Sequence, residues 1–411
     1  MHLLETRRQS ITRSMNEGSI LVLFSGSLLY ESQDETYPFS VNRHFYYLTN
    51  LAIADSILVL FERSNTIQEH LFIQRTDEMM AKWVGSNISK EEAEKTSSIQ
   101  QIHYIDEFDG LFARWLLPVE KPSVYLDLQR QTTQAQDQES HRFAAKLQHL
   151  YPQINLLQIH PLMTRHRLIK TADEVEEMVK AIAITKGGIE RMMQTVKEGM
   201  KEYQLEAEFN YALQYEGCRK TAFKTIVASG EHATVLHYND NAASLQSGQL
   251  VLCDLGATSG MYNADITRTF PVSGTFTKRQ RELYEIVLEA NEKVIKHAKP
   301  GITLRQLNQI VVELYQQRLG ELGLLEDGRT VFDYYYHGVS HMLGLDTHDL
   351  SLPDYKLEPG NIITVEPGLY LAAEKIGIRI EDDILITETD PINLSSQIIK
   401  QVDEIESFMK Q

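Results

Sequence analysis

The segment His337-Gly-Val-Ser-His341-Met-Leu-Gly-Leu-Asp-Thr-His348-Asp349 is followed by Ile363-Thr-Val-Glu366-Pro-Gly-Leu-Tyr370 and then by Gly377-Ile-Arg379-Ile-Glu381-Asp-Asp383. An earlier pair of aspartates, Asp254 and Asp265, belongs with it. Together they supply four carboxylates and an imidazole. That inventory suits two hard-to-borderline divalent metals held side by side.

Working outward, Asp254 ends the apolar run Leu250-Val-Leu-Cys-Asp254, and Asp265 opens another after the turn-rich Gly256–Asn263 stretch. A hairpin-like connection lets the two carboxylates meet across neighbouring strands. Such a pair repels unless a proton or a cation lies between them. Either residue alone reads as an ordinary turn aspartate. Cys253 alternates to the opposite face and is not counted as a ligand. His337 and His341 would share a face of a helix, as in zinc proteases. Gly338 and Gly344 argue against a regular helix, and HExxH is absent. Ligand, proton carrier and oxyanion donor all stay open for these histidines and for His348. Glu366 sits at a strand end, where a plain loop-entry glutamate is the bland alternative. Arg379, Glu381 and Asp383 fall on one face of a strand spanning 377–387, with Ile378 and Ile380 on the other. That face could carry a simple ion pair, and spacing does not choose among Glu381, Asp382 and Asp383 as a ligand.

A chain of 411 residues exceeds one ordinary core, so two domains are expected. The net charge of −17 argues against a phosphate backbone as partner and fits solubility. Two cysteines, Cys218 and Cys253, make no CxxC and no disulfide framework, which fits a reduced cytoplasmic compartment. Charges in Met1–Arg8 replace the apolar run of a signal peptide. No stretch approaches the ~18 apolar residues of a membrane span, so no membrane association is expected.

A polar helix over Leu3–Asn16 precedes short β-branched or aromatic runs at Ile20–Phe24, Ser56–Phe61, His70–Gln74 and Ser123–Leu128. Helical segments at Lys90–Ser97 and Ser140–Leu150 separate some of them, giving an α/β domain with a mixed sheet. The pattern lapses between Tyr151 and Thr171, which places the domain boundary there, and the basic run Arg165–Lys170 reads as a solvated linker, with an anion site as the alternative. Thr171-Ala-Asp-Glu174 is a capping box opening a long helix whose core stripe is Val175, Met178, Val179, Ile182, Ile189, Met193 and Val196. A second helix covers Tyr203–Glu216, and further boxes start at Thr277 and Thr303. Strands are expected at Lys224–Ala228, Gln249–Leu255, Asp265–Val272, Asn361–Val365 and Gly377–Thr387. The second domain is therefore α+β, with helices packed on an antiparallel sheet.

Taken in order, the strand-ending Asp254, Asp265-Ile-Thr-Arg-Thr-Phe-Pro, the histidine segment, Thr-Val-Glu-Pro-Gly-Leu-Tyr and Gly-Ile-Arg-Ile-Glu-Asp-Asp closely resemble the aminopeptidase P (Xaa-Pro aminopeptidase) branch of the pita-bread metallopeptidases. Prolidase and methionine aminopeptidase are relatives. The resemblance implies an α/β N-terminal domain of the creatinase/prolidase type over residues 1–160, with an oligomerisation and substrate-access role. Residues 161–411 would form the pita-bread catalytic domain. The family's metal ligands match Asp254, Asp265, His341, Glu366 and Glu381, and its substrate-site histidines match His237, His337 and His348. Arg379 matches an arginine behind the ligands, and Tyr370 an active-site tyrosine. Trp83 in Lys82-Trp83-Val-Gly85 is similar to a residue lining a neighbouring subunit's site, a packed core Trp being the alternative.

The implied activity is release of the N-terminal residue from peptides with proline second. A hydroxide bridging two metals would attack the carbonyl before proline. Mn²⁺ is the expected metal, with Co²⁺ or Zn²⁺ able to occupy the same donors. Glu366 would carry the proton, His237 and His348 would stabilise the oxyanion, and His337 would assist. The Xaa-Pro bond has no N–H, so an apolar slot must hold the ring, with Tyr370 and Trp83 as candidate walls. A homodimer or homotetramer is the expected assembly. Prolidase is the nearest alternative, and a non-catalytic binding protein or a creatinase-like amidinohydrolase is disfavoured because no metal ligand is missing.

Overall fold

The computed structural model describes residues 3–411, and the chain divides into two units, Met1–His166 and Arg167–Gln411. The first unit is built on six strands in the spatial order Gln101–Tyr104, Thr66–Ile73, Ile57–Arg63, Ile20–Phe24, Ser123–Leu126, Asn155–Gln158. Ile57–Arg63 runs antiparallel to both neighbours and the other three pairings are parallel, so the sheet is mixed. Ile20, Leu21, Val22 and Leu23 are all buried, as a strand covered on both faces requires. One face packs Ile20, Val22, Val59 and Phe72 against Phe108, Phe112 and Phe143 from the helices Phe108–Leu116 and Glu139–Leu150. Each fully buried apolar side chain of this kind contributes about 1.5–3 kcal/mol.

Several elements escaped the periodicity. Arg43–Thr49 and Glu78–Val84 are short helices, each started by an Asn or Asp cap that accepts two amides. The lapse after Tyr151 contains the strand Asn155–Gln158 and the helix His160–Leu168. Trp83 is 81% exposed, so the packed-core alternative for it is excluded.

In the second unit all strand pairings are antiparallel. Leu250–Leu255 lies between Ile226–Ser229 and Ile266–Pro271, with Thr267 opposite Asp254. A second sheet orders Ile362–Val365, Asp382–Leu385 and Ile392–Asn393. The helices Ala172–Thr195, Glu202–Tyr215, Lys278–His297 and Leu304–Glu321 pack on these sheets around one large apolar core. Their three capping boxes form: Thr171, Thr277 and Thr303 amides each donate to the Glu174, Gln280 and Gln306 side chains. Met178, Ile182, Ile189 and Met193 are buried, whereas Val179 is 38% exposed, because one residue beyond Met178 the helix turns it outward.

Two sequence expectations need correction. The run 377–387 is not one strand. Ile376–Arg379 pairs with Gly368–Leu371, and Asp382–Leu385 pairs with Ile362–Val365, so the chain changes partner at Ile380-Glu381. The basic run is not a solvated linker either. Arg167 and Lys170 are buried, and both bind Asp349. A guanidinium and an ammonium leave water only when paired so.

Candidate metal centre

The antiparallel pair Leu250–Leu255 and Ile266–Pro271 brings Asp254 and Asp265 to one end of its sheet. The histidine segment runs as irregular chain beside Ile362–Val365. The Thr364 amide donates to His341 O at 3.0 Å, the His341 amide to Thr364 Oγ1 at 3.2 Å, and the Glu366 amide to Val339 O at 2.9 Å. These bonds place His341 beside Glu366. Glu381 sits at the break between its two strands, its amide donating to Thr267 O and its Oε2 accepting from Thr267 Oγ1 at 2.7 Å.

All five of Asp254, Asp265, His341, Glu366 and Glu381 therefore line one cavity of about 620 Å³. His237, His337, His348 and Arg379 line it as well. Ligand atoms of Asp265, His341 and Glu381 lie within 4.8 Å of one another. His341 Nε2 is 3.4 Å from Asp265 Oδ2 and 3.6 Å from Glu366 Oε1. The structure also separates the three acids that spacing left open. Asp382 turns away to Arg268 at 2.7 Å and Lys400 at 2.5 Å. Asp383 is buried beneath the cavity, accepting the Asp265 amide at 3.2 Å. Only Glu381 of the three faces the cavity.

The electrostatics fit bound cations. Burial, with Asp254's charge, raises the Asp265 carboxyl to about 6. Burial also raises Glu366 to about 7. Glu381 lies well above the usual range through burial and then the charges of Asp265 and Glu366. Burial lowers His341, but its bond to Asp265 and the charges of Asp265 and Glu366 outweigh that and lift it to about 9. The His341 Nδ1 faces Met342 O at 3.0 Å, and a carbonyl can only accept, so Nδ1 carries a proton. In the metal-free chain the raised ring carries its second proton on Nε2, facing Asp265 and Glu366, and a cation bound by these carboxylates would take that proton's place. Asp254 Oδ1 is buried without a hydrogen-bond partner, while its Oδ2 meets Arg379 Nη2 at 2.5 Å. These residues fit divalent metal ions.

His337 Nδ1 faces Gly338 O and its Nε2 lies 2.8 Å from Tyr370 Oη. Burial, then Arg379, lowers it to about 4, so it is neutral at pH 7. His348 is lowered by burial and by His341 and His237. Next to it, Asp349 binds Arg167 at 2.5 Å and Lys170 at 2.9 Å. A Cβ on Gly344 would lie 2.2 Å from Asp349 Oδ2, so this ion cluster requires glycine there.

Tyr370 is not a wall of the cavity. It is buried behind it, and its hydroxyl links His337 to Arg379 Nη1 at 3.1 Å. Trp83 belongs to the other unit and lines no part of this cavity. Phe223, Lys224, Ile226, Leu236 and Asn239 are lining residues that the motifs did not reveal. Proximity to His237 in sequence was the only available signal for Leu236 and Asn239. A second potential ligand group, His44, Asp127 and His160, lies within the N-terminal unit. It holds one carboxylate, which accepts from Asn42 Nδ2 at 2.8 Å, so no crowding of charge demands a cation there.

Residues 176–388 match the model for metallopeptidase family M24, and residues 4–125 match that for the aminopeptidase P N-terminal domain. The chain is 32% identical over 431 residues to Xaa-Pro aminopeptidase of Escherichia coli K12, covering 98% of this chain and 97% of that one. A Bacillus anthracis structure, described provisionally as an aminopeptidase P, superposes with a TM-score of 0.97 at 42% identity, covering 99% and 97% of the two chains. Escherichia coli aminopeptidase P with the inhibitor Pro-Leu gives a TM-score of 0.91 at 31% identity, covering 99% and 97%.

Proposed function

The chain belongs to metallopeptidase family M24, and from that membership we propose that it is a metal-dependent Xaa-Pro aminopeptidase. It releases the N-terminal residue from peptides with proline in the second position. Its plan is an α/β N-terminal domain with a mixed sheet followed by a pita-bread catalytic domain. We assign the first, residues 1–160, to assembly and substrate access, and residues 161–411 to catalysis. The observation that carries the reading is the meeting of four carboxylates and one imidazole in one cavity.

We assign Asp254, Asp265, His341, Glu366 and Glu381 as the residues that hold two divalent ions. The oxygen-rich set with one nitrogen favours Mn²⁺. Bound there, such ions would supply a water-derived nucleophile near neutral pH and would polarise the scissile carbonyl. Glu366 takes the proton and returns it to the leaving nitrogen. His348, held neutral by burial, keeps an N–H to offer the developing oxyanion, and His237 acts with it. His337, fixed by Tyr370 and Gly338, orients the substrate from the same wall. Arg379 neutralises Asp254 and orients its free oxygen.

A proline nitrogen offers no hydrogen, so its ring must be recognised by shape. Phe223, Ile226 and Leu236 supply apolar wall for it, in place of Tyr370. Met79, Met80, Trp83 and Val84 are all more than half exposed on one short helix, which supports a homo-oligomer contact there and with it a role for Trp83 towards a neighbouring copy. Cys218 and Cys253 are both free, in keeping with a cytoplasmic setting. Among the described residues no helix is long and apolar enough to cross a membrane.

Prolidase is the competing activity, and the Xaa-Pro aminopeptidase relatives disfavour it. Incubation of the Mn²⁺-loaded protein with Xaa-Pro-Xaa and Xaa-Pro peptides, read by mass spectrometry, tests the proposal. Loss of one N-terminal residue from the tripeptide is expected. Cleavage of the dipeptide alone would overturn it.

A further inference from the structure

We propose that Glu202 is a positioning residue that holds His237 in place through Tyr238. The inference rests on the assignment of His237 to the reaction.

Glu202 is the first residue of the Glu202–Tyr215 helix and is fully buried. Its Oε1 accepts from the Ser229 amide at 2.8 Å and from Ser229 Oγ at 2.7 Å. Its Oε2 accepts from Tyr238 Oη and from the Ala243 amide, both at 2.8 Å. His232 Nδ1 approaches Oε1 at 3.5 Å, and the His232 ring stacks on Tyr238 with centroids 4.4 Å apart. Among the described residues no lysine or arginine pairs with this carboxylate.

A buried carboxylate is tolerated only when hydrogen bonds replace its water. Here every donor comes from the segment 229–243, the loop that carries His237 to the cavity wall. One carboxylate thus ties the start, the middle and the end of that loop. Two acceptor oxygens with two donors each are what a carboxylate offers and a carboxamide does not, since its NH₂ would face donors.

The loop has other anchors that do not pass through Glu202. The Tyr203 amide donates to Asn241 O at 2.7 Å, and Asn241 Nδ2 donates to Glu206 Oε2 at 2.8 Å. Removing the charge at residue 202 therefore leaves the loop ends attached. It weakens the hold on Tyr238, whose hydroxyl keeps only the Ala242 amide at 3.2 Å and whose ring keeps its stack on His232, and so lets the neighbouring His237 shift. A misplacement of about 1 Å lowers turnover without removing substrate contacts.

The test uses the full-length, metal-loaded protein with Glu202→Gln, Tyr238→Phe, His237→Ala and the double variant Glu202→Gln/His237→Ala. Thermal unfolding and metal content are measured on the same samples. Glu202→Gln is expected to lower kcat about ten- to hundredfold, with KM changed less than about twofold and metal content unchanged. Tyr238→Phe is expected to lose kcat in the same direction and to serve alone where Glu202→Gln does not fold. In the His237→Ala background, Glu202→Gln is expected to cost nothing further. Multiplying losses in the double variant, or a loss confined to KM, would overturn the proposal while leaving His237 in the reaction. Full kcat in His237→Ala would instead remove His237, and the positioning role with it.

Discussion

Arg379 Nη2 lies 2.5 Å from Asp254 Oδ2, while Asp254 Oδ1 is buried with no hydrogen-bond partner. One oxygen of this carboxylate is neutralised by the protein and the other is left for an ion. Arg379 also donates to Thr267 Oγ1 and Tyr370 Oη, so its own position is fixed from three sides. Arg379→Ala should leave Asp254 buried without its cation. We expect metal affinity to fall about 10- to 100-fold, checked by competition with a chelator. Stability should fall by about 3–5 kcal/mol, checked by denaturant unfolding.

Glu366 faces the cavity, and among the described residues its nearest charged neighbours, His341 at 3.6 Å and His337 at 3.9 Å, lie beyond hydrogen-bond distance. Glu366→Gln is expected to abolish turnover while the unfolding temperature stays near that of the parent. Full activity in that variant with metal present would remove Glu366 from proton transfer.

The pH dependence of the metal-free protein follows from the raised groups. Glu366 is lifted to about 7 and His341 to about 9, above ordinary values of about 4.3 and 6.5. Between pH 6.5 and 9 the folded chain therefore binds more protons than the unfolded one, and stability falls as pH rises. Below about pH 6.5 the depressed His337 and His348 act in the opposite sense, which is why the upper window is diagnostic. Calorimetry should show the melting temperature of the metal-free protein dropping from pH 6.5 to 9. Added Mn²⁺ should raise it more at pH 9 than at pH 6.5. A metal-free protein that gains stability across this range would contradict the charge crowding.

Asp349 carries two buried cations, Arg167 and Lys170, and adjoins His348. Asp349→Asn should destabilise the chain by about 3–5 kcal/mol, because both cations stay buried and under-compensated. It should also lower kcat through His348. Equilibrium unfolding and steady-state kinetics on the same variant check both effects.

The order of motifs, more than any residue, made the centre legible. Asp254, Asp265, His341, Glu366 and Glu381 are spread over more than a hundred positions, and the structure draws them to one cavity. The capping boxes at Thr171, Thr277 and Thr303 marked helix starts because their chemistry is local. The break at Ile380-Glu381 was invisible, since period two continues through a change of strand partner. Likewise nothing local in Arg165–Lys170 points to Asp349, almost two hundred residues away. The family resemblance makes Tyr370, after the Glu-Pro-Gly turn, a candidate wall residue. The strand Gly368–Leu371 aims it inward instead, where its hydroxyl meets His337 and Arg379.

We assign a pair of divalent ions to these five side chains. Metal analysis of protein dialysed against Mn²⁺ and then desalted tests this assignment most directly, alongside Asp265→Ala and Glu381→Ala. Two ions per parent chain are expected, with a loss of bound metal together with peptide hydrolysis in both variants. Fewer than one ion per parent chain, or undiminished binding in the variants, would contradict it.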